Sequence, residues 1–174
     1  MSQHNAELVQ RAHRLIEDLH ATQPESFDSA FRDYLDEEFE LSSPAVYPEG
    51  AQVFKGREGL ERWIASTSEV WREWRCEPER LVDADDDQVV ALVRLIARGS
   101  ASGVLVDRET AHVWTVRDGR VTRCEVYLDR LEALEAVGLQ SAAPYTAGLA
   151  SSSRVTGRTR PARRRLPPQP HFSA

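Results

Sequence analysis

The dipeptide Asp118-Gly119 lies between two stretches in which apolar and polar residues alternate, 104–117 and 120–129. Both residues tolerate positive φ, which a two-residue hairpin turn demands, so the flanking strands are expected to pair directly. The alternation reaches further back. Residues 74–83 and 88–98 also read as strands, with turns at Asp85-Asp86-Asp87 and Gly99–Gly103. Four such strands in succession make an antiparallel meander. A two-residue turn pairs Arg117 with Arg120, and extending that register sets Trp114 opposite Arg123 and His112 opposite Glu125. One face would then carry His112, Trp114, Val116, Arg123, Glu125 and Tyr127. The other would carry Ala111, Val113, Thr115, Cys124, Val126 and Leu128.

The first part of the chain has a helical period instead. Leu8, Val9, Ala12, Leu15, Ile16 and Leu19 fall on one face of a helix over 5–20. Thr22-Gln-Pro-Glu25 has the form of a capping box opening a second helix, whose apolar stripe is Phe27, Ala30, Phe31, Tyr34 and Leu35. A short strand over 38–43 ends at Pro44, and 47–52 reads as an irregular loop. A third helix over 57–71 turns Leu60, Trp63 and Ile64 inward, with Val70 and Trp71 as further candidates. Leu131–Val137 forms a short last helix with Gly138 after it. The class is therefore α+β, a curved sheet backed by about three N-terminal helices.

Charge divides the chain. Residues 141–174 hold six arginines and no acidic residue, so 16 basic and 28 acidic residues fall in 1–140, a net of −12. Nucleic-acid affinity comes largely from neutralising phosphates, so an acidic domain at 1–140 is a poor partner for nucleic acid. The segment 141–174 is too poor in apolar residues to build a core and reads as a disordered Ser/Arg/Pro-rich tail, with an anion-contacting arm as the alternative. No apolar run is long enough for a membrane span, and residues 1–20 lack a secretory pattern. Cys76 and Cys124 sit in strands as small hydrophobes, which suits a reduced cytoplasmic protein.

Several segments together resemble the SnoaL-like branch of the nuclear transport factor 2-like superfamily, the ketosteroid isomerase-like fold. They are Tyr34–Glu40, Phe54–Leu60 opening the third helix, Ala111–Val121 with the hairpin, and Tyr127–Leu134. The resemblance covers roughly 5–139. It implies a cone-shaped mixed sheet, a small-molecule pocket and a bacterial protein; the residues show no metal-ligand spacing and no Gly-x-Ser-x-Gly elbow, so no cofactor is expected. It also implies positions for catalytic acids. The general base of the isomerases would fall at Leu41 or Ser43, the last-strand acid of the cyclases at Val126, and the Arg-x-Asp pair of the epoxide hydrolases at Arg94-Leu95-Ile96. Only the arginine is kept, so the family's proton-transfer chemistry lacks its carboxylates.

The candidates follow from both lines. Leu41, Ser43, Tyr47, Trp63, Trp71, Val113, Cys124 and Val126 are expected to line the pocket, with Trp74 as a further aromatic candidate. His112 opposite Glu125 is the best acid–base pair left, although the resemblance puts that face outside. Arg94, in an apolar strand, needs a carboxylate from the protein or an anionic ligand. Asp83, Asp85 and Asp87 imitate the start of a calcium loop, but Gln88 and Arg94 break the pattern, so a turn is expected and no metal. Strand 88–98 is apolar on both faces, which suggests a homodimer through the sheet. The functional expectation is a pocket for a small apolar metabolite, with catalysis undecided. The alternatives are a cofactor-independent isomerase, cyclase or epoxide hydrolase using His112, Glu125 or Arg94, and a dimeric accessory module.

Overall fold

In the computed structural model, residues 3–22, 27–44 and 52–139 are described. The cap at 22–25, Tyr47 and the tail 141–174 fall wholly or partly outside them. Leu8, Val9, Ala12, Leu15 and Ile16 form the buried stripe of helix α1 (Gln3–Thr22). Helix α2 (Phe27–Tyr34) is followed at once by strand β1 (Leu35–Ser43). Leu35, expected in the helix, opens the strand because Leu35, Phe39, Leu41 and Ser43 alternate into the core. Strand β2 (Gln52–Lys55), not foreseen in the sequence, pairs with β1. Helix α3 (Gly56–Val70) packs its start against β2. A Cβ on Gly59 would lie 2.8 Å from the Phe54 carbonyl carbon, so only glycine fits there.

The meander follows as β3 (Trp71–Asp83), β4 (Gln88–Gly99), β5 (Leu105–Arg117) and β6 (Arg120–Tyr127). The sheet order is β2-β1-β6-β5-β4-β3, with β1 and β6 parallel and all other neighbours antiparallel. This is the expected α+β class with a mixed sheet. β3 is an edge strand, where Pro78 is tolerated. Asp118 and Gly119 take φ of 50° and 73°, the hairpin turn the dipeptide demanded.

Beyond that turn the register departs from expectation. Arg117 pairs with Arg120 and Val116 with Val121, but Thr115 pairs with Arg123 and His112 with Val126. Thr122 is thus an extra residue, a β-bulge. The cause lies in the apolar pattern. Val121 and Cys124 are both fully buried in the main core although three residues apart. A regular strand would send one of them outward, and the bulge brings both inward. The expected pairing of His112 with Glu125 is therefore lost. His112 and Trp114 share the helix-facing side with Cys124 and Val126, while Val113 and Glu125 face the other way.

That other face is closed in part by helix α4 (Arg130–Ala136), whose Ala133 packs on Val90, Ala111 and Val113. Asp129 caps it by accepting from the Leu131 N–H at 2.7 Å. Arg130 anchors its start. It donates to the backbone carbonyls of Thr110 (3.2 Å) and Val93 (3.0 Å) and pairs with Glu79 and Glu109 at 2.7 and 3.3 Å. Further along, Arg94 is exposed on this face and makes a bidentate pair with Asp107, both contacts at 2.8 Å. Of the two partners open to Arg94 in the sequence it takes a protein carboxylate, and as a candidate for the pocket it points away from it. None of the helices in the described residues is long and apolar enough to cross a membrane.

Candidate functional site

A cavity of about 230 Å³ lies between the helices and the sheet. His13 and Ile16 of α1 and Trp63 and Thr67 of α3 form one wall. Alternate residues of β5, namely Val106, Arg108, Thr110, His112 and Trp114, run along the opposite wall. Cys124 and Val126 of β6 flank that row on one side, and Leu95 of β4 on the other. Trp71, Trp74 and Cys76 of β3 and Leu41, Ser43 and Pro44 complete the lining. Trp63 and Trp74 meet edge to face, with centroids 5.6 Å apart. The volume falls below the roughly 300–1,000 Å³ of drug-sized sites, which suits a small occupant.

The polar groups in this apolar chamber are few. His13 stacks on His112 with centroids 5.4 Å apart and an interplanar angle of 19°, and both rings meet Trp114 at a tilt. Burial lowers the His13 pKa to about 4 and that of His112 to about 3, the neighbouring imidazole adding to the second. Both rings are therefore neutral at pH 7. Among the described residues neither ring nitrogen of His13 has a hydrogen-bond partner, nor have the indole N–H groups of Trp63 and Trp114, all of them buried. Such groups are costly to leave unpaired, and four together are an arrangement that a ligand can satisfy. The Thr67 hydroxyl, by contrast, is turned back onto the Trp63 and Ile64 carbonyls. Burial pushes the Cys76 and Cys124 thiols up, so neither is an activated nucleophile.

Of the residues singled out in the sequence, Leu41, Ser43, Trp63, Trp71, Trp74, Cys124, Val126 and His112 come together around this cavity. Val113 is on the opposite face, buried against α4. Glu125 pairs with Arg123 at 3.0 Å on that same face, away from His112. His13, Arg108, Thr110 and Trp114 were missed. His13 carried a signal, because it falls beside Val9, Ala12 and Ile16 on the buried stripe of α1. A polar groove on the outer side gathers Glu38, Glu40, Asp85, Asp87 and Glu125. Lys55 and Arg123 neutralise part of it, and Asp85 accepts from the Asp87 N–H as a turn residue. Among the described residues no cluster of three or more His, Cys, Asp or Glu could hold a metal ion.

The family model described as a SnoaL-like domain matches residues 12–124, which include both histidines of the cavity. The chain belongs to the SnoaL-like domain family. Solved structures repeat the fold at low identity. A protein described as a putative SnoaL-like polyketide cyclase, from Jannaschia sp. CCS1, shares 22% identity at a TM-score of 0.57. That match covers 81% of this chain and 94% of the other. An NTF2-like protein of unknown function from Burkholderia pseudomallei shares 18% at 0.59, covering 79% and 98%. TerC, co-crystallised with polyporic acid, shares 22% at 0.53, covering 72% and 96%. Comparison with curated proteins gives no match. At these identities the likeness concerns the fold, and the chemistry of this SnoaL-like domain rests on its own side chains.

Proposed function

We propose that this SnoaL-like domain binds a small, mostly apolar ring compound in the cavity between α1, α3 and the sheet. One observation carries the reading: an aromatic and aliphatic chamber holds unpartnered imidazole and indole nitrogens of His13, Trp63 and Trp114. Burial of apolar ligand surface supplies affinity, and a carbonyl or hydroxyl on the ligand satisfies those nitrogens. A related fold bearing polyporic acid is in keeping with a small-molecule interior.

The test is calorimetric titration of methyl 2-naphthoate into the full chain and into Val126→Trp, which fills the chamber. Saturable binding to the first and at least tenfold weaker binding to the second are expected. Failure of the ester and of 2-naphthoate alike to bind, or equal binding to both proteins, overturns the reading.

A second reading rests on position: His112 lines the cavity unprotonated at pH 7, and because burial makes its ring a weak base it takes a proton from a ligand only where binding raises its pKa. No Asp or Glu lines the cavity among the described residues, so an acid–base step there would fall to the imidazoles. Turnover of a bound compound, lost in His112→Gln while binding persists, is the result that would promote this reading over simple binding.

A further inference from the structure

Arg108 is the one formally charged side chain among the described residues lining the cavity. It is exposed, whereas Thr110, His112 and Trp114, next on the same face of β5, are 1%, 7% and 1% exposed. The row therefore runs from a cation at the mouth to neutral imidazole and indole inside. Arg108 and His112 are four residues apart, roughly 13 Å of extended strand.

Four arginines on or against the outer face of the sheet behave differently. Arg94, Arg98 and Arg123 of the strands and Arg130 of α4 each sit on a carboxylate. Among the described residues no carboxylate pairs with Arg108. Its Nη2 donates to the Leu128 carbonyl at 2.9 Å. A guanidinium carries five N–H donors in a planar fork suited to a carboxylate, so most of that capacity is unspent. Across the sheet its neighbour is Leu95, so the stem rests on apolar wall.

We propose that the ligand is an amphipathic acid: its apolar body lies among the tryptophans and its carboxylate meets Arg108 at the mouth. This rests on the pocket reading above and adds the charge of the ligand to it. A carboxylate deeper in the chamber would face only uncharged groups and lose its hydration without an ion partner. At the mouth it keeps water on one side and gains charge-assisted hydrogen bonds on the other. A cationic ligand would meet the wrong sign at Arg108 and no acid inside.

The experiment compares 2-naphthoate with its methyl ester by calorimetry at pH 7.5, using the full chain, Arg108→Gln and Arg108→Lys. The acid is expected to bind the natural chain at least tenfold more tightly than the ester. In Arg108→Gln the acid-to-ester ratio falls to about one, and Arg108→Lys recovers part of it. Equal affinities for acid and ester in the natural chain overturn the inference and leave the pocket reading standing. Failure of both compounds to bind brings down the pocket reading and this inference with it. A ratio unchanged in Arg108→Gln shows that the arginine only holds the Leu128 carbonyl, and also overturns the inference. Should Arg108→Gln fail to fold, the ratio in the natural chain and in Arg108→Lys still decides.

Discussion

The imidazole of His13 on α1 stacks on that of His112 on β5, with centroids 5.4 Å apart, both rings inside one cavity. Ninety-nine residues separate them in the chain, and neither has a carboxylate beside it in that cavity. Burial keeps both groups uncharged, and His13 adds to the lowering at His112.

That pair makes stability pH-dependent in a definite direction. In the unfolded chain both histidines titrate near 6.5, while in the fold their pKa values are about 4 and 3. As pH falls below 6.5 the unfolded chain takes up protons that the native state refuses, so stability drops. At pH 5 the loss is about 2 kcal/mol per histidine relative to pH 7, and it continues to grow down to the folded pKa values. Urea unfolding at pH 7 and pH 5 should show it, and His112→Gln should flatten the profile. An equal pH dependence in that variant would contradict the assignment.

His13→Leu should raise stability and weaken binding together. Both ring nitrogens of His13 are buried without partners, and removing such groups recovers about 1–3 kcal/mol of unsatisfied polarity. The same change deletes a group offered to the ligand. A higher thermal midpoint with weaker naphthoate binding is expected; a lower midpoint would show that His13 has a native partner.

The bulge at Thr122 can be tested by deletion. Removing this residue makes Val116–Val121, Thr115–Arg123 and Trp114–Cys124 consecutive regular pairs, so Cys124 and Val126 keep facing the core without the bulge. The deletion should retain cooperative thermal unfolding followed by circular dichroism; its loss would show that the bulge itself is required. Thr122→Ala, which keeps the residue count, should cost less than about 1 kcal/mol.

Arg130 joins α4 to β3, β4 and β5 through two carbonyls and two carboxylates. Arg130→Ala leaves those carbonyls without their charged donor and should cost about 2–3 kcal/mol. Urea unfolding measures the loss, and faster amide exchange in α4 should accompany it. Arg130→Lys, lacking the fork, should recover only part.

Local pattern made much of this legible. The helical stripe of α1, the alternation in β4 and β5, and the Asp118-Gly119 turn each follow from near neighbours. Even the bulge left a trace, because the buried residues of β6 change parity between Val121 and Cys124. The short strand β2 left almost none: four residues have little periodicity to read, and residues 44–51 separate it in the chain from its partner β1. Arg94 was readable only as a charge needing a partner, and the choice of Asp107 came from the strand pairing.

By itself, the sequence determined the order of the elements other than β2, the hairpin, and Trp63, Trp71 and Trp74 as candidates for a pocket wall. Tertiary structure alone decided which side of β5 became the chamber wall. Face assignment in a strand propagates from every residue along the ladder, so one bulge reverses all that follow. That reversal, with the docking of α1 over the sheet, brought His112 to His13 and left Glu125 outside.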